Sequence, residues 1–209
     1  MGCDDPPTFH NHAWRYYMSV MRAFFTNRSF VEQALIIGAV CSGLLLIGAH
    51  IFEAFGYPPC ELCLDQREAH WTALAVALIG LAMAFIFKAR LAAAASVGAL
   101  ALVYALSAGL AFFHTGVEFG FWPGPASCSA AGFTPVSEPL NLSEALTQKP
   151  TGPSCGDAAW RLFGISMAGY NLLASVALFV IAFVAAIIAT RHARQARRPS
   201  SRSEVTPAS

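Results

Sequence analysis

Polar positions are sparse through most of this chain, and where they disappear the apolar runs are long. Four runs stand out, approximately Phe30 to Phe52, His70 to Phe87, Leu91 to Phe113 and Ile165 to Thr190. The first contains ALIIGAVCSGLLLIGAHIF and the third LAAAASVGALALVYALSAGLAFF, with no charge in either stretch. A helix needs about 20 such residues to cross a hydrocarbon core. The runs are continuous instead of alternating, which predicts helices and not barrel strands. The second run is the shortest and can begin earlier, near Arg67. The expected fold is an all-α membrane protein, a four-transmembrane-helix bundle with two extracytoplasmic loops.

Composition agrees: 56% of the 209 residues are hydrophobic and 12% charged, about half the charge of an average soluble domain. A formal net charge of +1, with no dominant basic surface outside the two ends, gives no case for nucleic acid. The placement of charge says more. Ten of the thirteen Lys and Arg residues fall before the first run, between the second and third, or after the fourth. By the positive-inside rule both termini are expected in the cytoplasm. The expected divisions are a cytoplasmic tail over 1–29, a membrane domain over 30–190 with outer loops at about 53–66 and 114–164, and a basic tail over 191–209. A cleaved signal peptide is not expected at the first run, which is too long and too far from the start. The MGC start is only a weak lipidation signal.

Under this topology Cys3 is cytoplasmic and Cys41 lies inside the first span, as a small buried hydrophobe. Cys60, Cys63, Cys128 and Cys155 fall outside, two per loop, where disulfides persist. A zinc site is disfavoured, because Cys128 and Cys155 are too far apart to form a second C-x-x-C knuckle. Structural bridging suits Cys128 and Cys155. A C-x-x-C bridge closes so small a ring that it constrains little, and its usual use is thiol–disulfide exchange.

In PPCELCLDQR, Pro58 and Pro59 end the preceding segment. A helix starting near Cys60 would set Cys60, Cys63 and Arg67 on one face. The helix N-terminus and the guanidinium favour thiolate, while Glu61 and Asp65 oppose it. Arg67 at the head of a span either snorkels to the interface or meets a polar partner, such as a carbonyl oxygen on a flat, membrane-soluble oxidant. The second outer loop is about 50 residues, rich in Gly, Pro and Ser. Its PLNLSEALTQKP could form a short helical turn capped by Ser143. The apolar, aromatic cluster from Trp160 to Met167 is expected at the membrane surface. His114 and His50, near outer ends, read on the residues alone as polar end-markers. No Ser-His-Asp, P-loop, dinucleotide or haem-attachment pattern occurs.

These features together resemble the DsbB family of bacterial disulfide-bond formation proteins. The resemblance is carried by PCELCLDQR, HTGVEFGFWPGPASC and SCGDAAWRLFGISMAGYNLL, and covers roughly Phe30 to Arg191. It implies an inner-membrane enzyme that reoxidises a soluble thioredoxin-like donor, DsbA, and passes the electrons to ubiquinone or menaquinone within the lipid. By position, Cys128 would form the mixed disulfide with that partner, Cys155 would exchange with Cys60, and Cys63 would be the quinone-facing thiolate. Arg67 would polarise the quinone and His114 would assist. Glu61, between the cysteines, departs from the pattern, and the tail with Cys3, His10 and His12 has no assigned role. The competing expectation is a membrane scaffold whose outer bridges are structural.

Overall fold

In a computed structural model, residues 28–126, 128 and 154–196 are described. The expected turn around Ser143 and the tail carrying Cys3, His10 and His12 lie outside them. The described residues form four long helices: α1 (Phe30–Ala54), α2 (Glu61–Phe85), α3 (Arg90–Glu118) and α4 (Met167–Ala196). All four are long and apolar enough to cross a membrane. At 1.5 Å per residue the shortest spans about 37 Å, more than the hydrocarbon core requires.

Local sequence sets the ends. Ser29 caps α1 through a reciprocal pair, its hydroxyl accepting from the Glu32 N–H and its own N–H donating to the Glu32 carboxylate. Pro58 and Pro59 stop the chain from continuing α1, and Cys60 is the N-cap of α2. The helix expected to start near Cys60 does so, and the apolar run read from near Arg67 or His70 is its inner part. The polar string Glu61–Glu68 is the first two turns of the helix, with Glu61, Asp65 and Glu68 exposed and Leu62, Gln66 and His70 buried. Lys88, at φ 51°, turns the four-residue connection into α3.

Short connections make α1 to α3 antiparallel neighbours, and α4 closes the bundle against α3 and α1. The core holds Leu35, Val97, Leu100, Tyr104 and Leu178 among many alanines. Small residues let the backbones approach, as bilayer helices need when lipid offers no hydrophobic drive for association. Large apolar side chains such as Leu44, Ile79, Leu106 and Phe183 face outward. That is the surface expected against lipid. Before α4, strands β1 (Arg161–Leu162) and β2 (Ile165–Ser166) pair antiparallel around Phe163 and Gly164, both at positive φ. The surface segment expected there is therefore a small hairpin.

Gly80 marks the tightest crossing. A Cβ there would lie 2.7 Å from a Leu35 methyl and 2.8 Å from the Ser96 Cβ. Gly80→Val is expected to cost about 1–3 kcal/mol by overpacking. The readout is a lowered thermal unfolding midpoint in detergent; an unchanged midpoint would show that the crossing yields freely.

Candidate functional site

The site forms where the α1–α2 turn meets the far end of α3. Cys60 caps α2 and Cys63 lies on its first turn, so their sulfurs approach to 2.8 Å as two thiols. Cys128 and Cys155 are joined by a disulfide. All four cysteines share one buried cluster with Leu62, Val117 and Trp122. Gly116 makes this possible. A Cβ there would lie 1.9 Å from the Trp122 ring, so only glycine lets the indole lie against α3. Trp122 donates its ring N–H to the Phe113 carbonyl at 2.9 Å, holding the loop that leads to Cys128.

His114 stands between the two pairs. Its Nε2 is 3.7 Å from the Cys60 sulfur, and the ring also contacts the backbone of Cys155. Gln66 reaches His114 Nδ1 at 2.8 Å with its amide nitrogen, which can only donate. Nδ1 must then be the acceptor, and a neutral His114 carries its proton on Nε2, the nitrogen that lies near the Cys60 sulfur. The tautomer follows from the amide orientation that the network requires.

That network continues inward. Asn171 of α4 donates to the Gln66 carbonyl at 2.6 Å and contacts His70 Nε2 at 2.7 Å through its own oxygen. His70 Nδ1 lies 3.3 Å from the Ser42 hydroxyl, which lies 2.8 Å from Tyr104, which donates to the Gly38 carbonyl. Four helices are thus tied by one run of polar contacts. Sequence reading missed Gln66, His70 and Asn171. The available signal was a set of polar residues at helical spacing inside apolar runs.

Arg67 lies partly buried against α1, its side chain 14% exposed. It pairs with the Glu53 carboxylate at 2.6 Å and donates to the Ala49 carbonyl at 3.1 Å, both on α1. Glu53 was unforeseen. His50 stays outside the site, half-exposed beside Glu53 and Trp71. Glu118, one turn beyond His114, is buried, accepts from Ser166 and so ties the hairpin to α3. Glu61, whose role between the cysteines was open, is exposed on the first turn of α2. A carboxylate there favours the helix N-terminus.

A cavity of about 610 Å³ opens onto Cys60, Cys63, Arg67 and His114, with Phe52 and Trp160 on its apolar side. Its size and its mix of apolar wall and few polar groups suit a small organic ligand. Cys60, Cys63 and His114 also bring three soft donor atoms within 4.8 Å of one another. Two thiolates on one tetrahedral zinc would sit about 3.7 Å apart, given Zn–S near 2.3 Å. The 2.8 Å separation is shorter than that and lies closer to a disulfide contact.

A match to the family described as Disulfide bond formation protein DsbB runs over residues 31–199. The chain belongs to the DsbB family. Among relatives named Disulfide bond formation protein B, that of Aromatoleum aromaticum is 31% identical over 75% of this chain and 95% of its own length. That of Xanthomonas euvesicatoria is 31% identical over 78% and 94%, and that of a Polaromonas species 27% over 77% and 90%. No solved structure gives a significant match. As a DsbB-family protein the chain is a multi-pass membrane protein of disulfide bond formation, which gives the paired cysteines their context.

The two thiols are unequal. The hydrogen bond shared with Cys63, then burial, push the Cys60 thiol far above the ordinary range. Its thiolate fraction at neutral pH therefore falls below that of a normal cysteine, and it is also the more buried of the two. After reduction, limited iodoacetamide at pH 7 is expected to label Cys63 at least about ten times faster than Cys60. Peptide mass spectrometry checks this, and equal labelling would contradict the asymmetry.

Proposed function

We propose that the chain is a quinone-linked dithiol oxidase of a bacterial inner membrane, taking electrons from a DsbA-like thioredoxin-fold donor. The observation that carries the reading is one cavity opening onto an unbonded Cys60 and Cys63, with the Cys128–Cys155 disulfide in the same buried cluster. The placement of basic residues supports cytoplasmic termini and extracytoplasmic cysteine loops.

The cavity fits a quinone. Its wall is largely apolar and aromatic, as a flat ring and an isoprenoid tail need, and Arg67 and His114 supply N–H donors for a carbonyl oxygen. Arg67 has five N–H bonds, and those to Glu53 and Ala49 leave others for a ligand. Ubiquinone and menaquinone both meet these requirements. A bound quinone supplies an acceptor for two electrons and two protons.

The rest is done by cysteines. A partner thiolate attacks Cys128, forming a mixed disulfide and releasing Cys155 as thiolate. Cys155 attacks Cys60 of the oxidised first pair, and Cys63 leaves as thiolate beside the cavity. The partner's second thiol then takes the mixed disulfide and departs oxidised, freeing Cys128. Attack of Cys128 on Cys155 restores the second pair and leaves Cys60 and Cys63 reduced, the arrangement seen in the structure. When these two close their disulfide, the partner's two electrons leave the protein and its two protons balance those taken up. His114 Nε2–H faces the Cys60 sulfur, and Arg67 favours negative charge at the cavity rim. A DsbA-like donor sits near about −120 mV, so only a more oxidising acceptor runs this relay forward.

The purified chain is expected to oxidise a reduced thioredoxin-like protein only when quinone is present, and Cys63→Ser is expected to abolish turnover. Full-rate oxidation by Cys63→Ser would overturn the reading. A scaffold with structural bridges would instead keep both pairs oxidised in quinone-depleted cells, as thiol trapping would reveal.

A further inference from the structure

We propose that the Gln66–Asn171 amide pair is a second anchor for the acceptor, on the α2–α4 side of the cavity, binding the carbonyl oxygen that Arg67 does not serve; this rests on the quinone reading above. Both residues line the cavity, as does His70 behind them. They come from different helices, α2 and α4, and are joined at 2.6 Å.

Counting bonds shows what the pair offers. Each amide nitrogen carries two hydrogens. Gln66 Nε2 spends one on His114 Nδ1, and Asn171 Nδ2 spends one on the Gln66 oxygen. The Asn171 oxygen is occupied by His70, with the Ser175 hydroxyl at 3.4 Å. Neither amide can turn over without breaking contacts on both sides, so the orientation is locked from behind. One N–H of each amide is left with no hydrogen-bond partner among the described residues. A carbonyl oxygen has two lone pairs and can accept both.

The chemistry suits a wall inside the bundle. A second buried cation near Arg67 would be costly, whereas neutral amides already bonded to each other are not. Their hydrogen bonds strengthen as the oxygen gains negative charge, so they hold the reduced ring more tightly than the oxidised one. With Arg67 and His114 serving one oxygen and the amides the other, the substrate class is a ring bearing carbonyls on opposite sides. Gln66 and Asn171 are then ligand-binding residues, and His70 is a positioning residue that acts through Asn171.

The test uses the full-length protein in lipid nanodiscs, with no dithiol donor. A short-chain para-quinone is titrated and tryptophan fluorescence followed, since Trp160 lines the cavity. Asn171→Leu is expected to weaken binding about tenfold, the loss of roughly one to two hydrogen bonds. Asn171→Ser, which shortens the side chain and removes the amide, should weaken it similarly and decides the matter if the leucine variant does not fold. Ser96→Ala removes a hydroxyl that donates to the Ala92 carbonyl within α3, away from the cavity, and should leave binding unchanged. In turnover, Asn171→Ser should raise the KM for quinone and leave the KM for the dithiol protein unaltered. Wild-type affinity in the Asn171 variants overturns the anchor, as does equal weakening by Ser96→Ala, which would make the effect one of packing. Absence of saturable quenching in the wild-type protein would instead overturn the quinone reading itself.

Discussion

Every polar group inside this bundle needs a partner, because lipid supplies none. That constraint organises the structure. His114, Gln66, Asn171, His70, Ser42 and Tyr104 meet it collectively, each using its neighbour, so that satisfying one fixes the next. The run draws on all four helices, and a shift of any one by a turn would strand two or more members in an apolar interior. Alanine-rich faces allow many registers of comparable packing. The polar contacts select among them, much as a single buried polar residue can set the register of a coiled coil.

The same contacts place the cysteines. Gln66 fixes the His114 ring, the ring points its N–H at Cys60, and the backbone of Cys155 lies beside it. The second loop is delivered separately. Trp122 against Gly116 brings Cys128 to the end of α3, and the Glu118–Ser166 contact docks the hairpin that follows Cys155. Two independent anchors thus converge on one cluster from opposite sides. Both cysteine pairs are thereby held in the one buried cluster.

The spans were legible in the sequence because continuous apolar runs of that length admit few other structures. C-x-x-C, Arg67 and the second cysteine pair were legible because they depend on local spacing. The start of α2 was legible from Pro58, Pro59 and the cysteine spacing but not from hydropathy: Glu61, Asp65 and Glu68 lower the average although they occupy one outward face, while Leu62, Gln66 and His70 face inward at helical period. Glu53 as the partner of Arg67, and Asn171 as the partner of Gln66, were also hidden. They are separated in sequence by 14 and 105 positions, and their pairing depends on helix register, which no local pattern encodes. The part of the site that spacing determines could be read, and the part that packing determines could not.

Charge and neutral polarity are kept on different sides of the cavity for one reason. Arg67 and Glu53 pair on the α1 side, where each keeps partial access to water. Toward α3 and α4 the polar wall is made of amides, imidazole and hydroxyls. A charged residue buried among them would cost several kcal/mol unless paired, and pairing it there would leave nothing to bind a ligand. Neutral amides escape both problems, since each nitrogen has two hydrogens and the protein needs only one. Under the proposed quinone reading, the arrangement would stabilise charge that arises transiently on the ligand without holding permanent charge among the amides, and with side chains already in place.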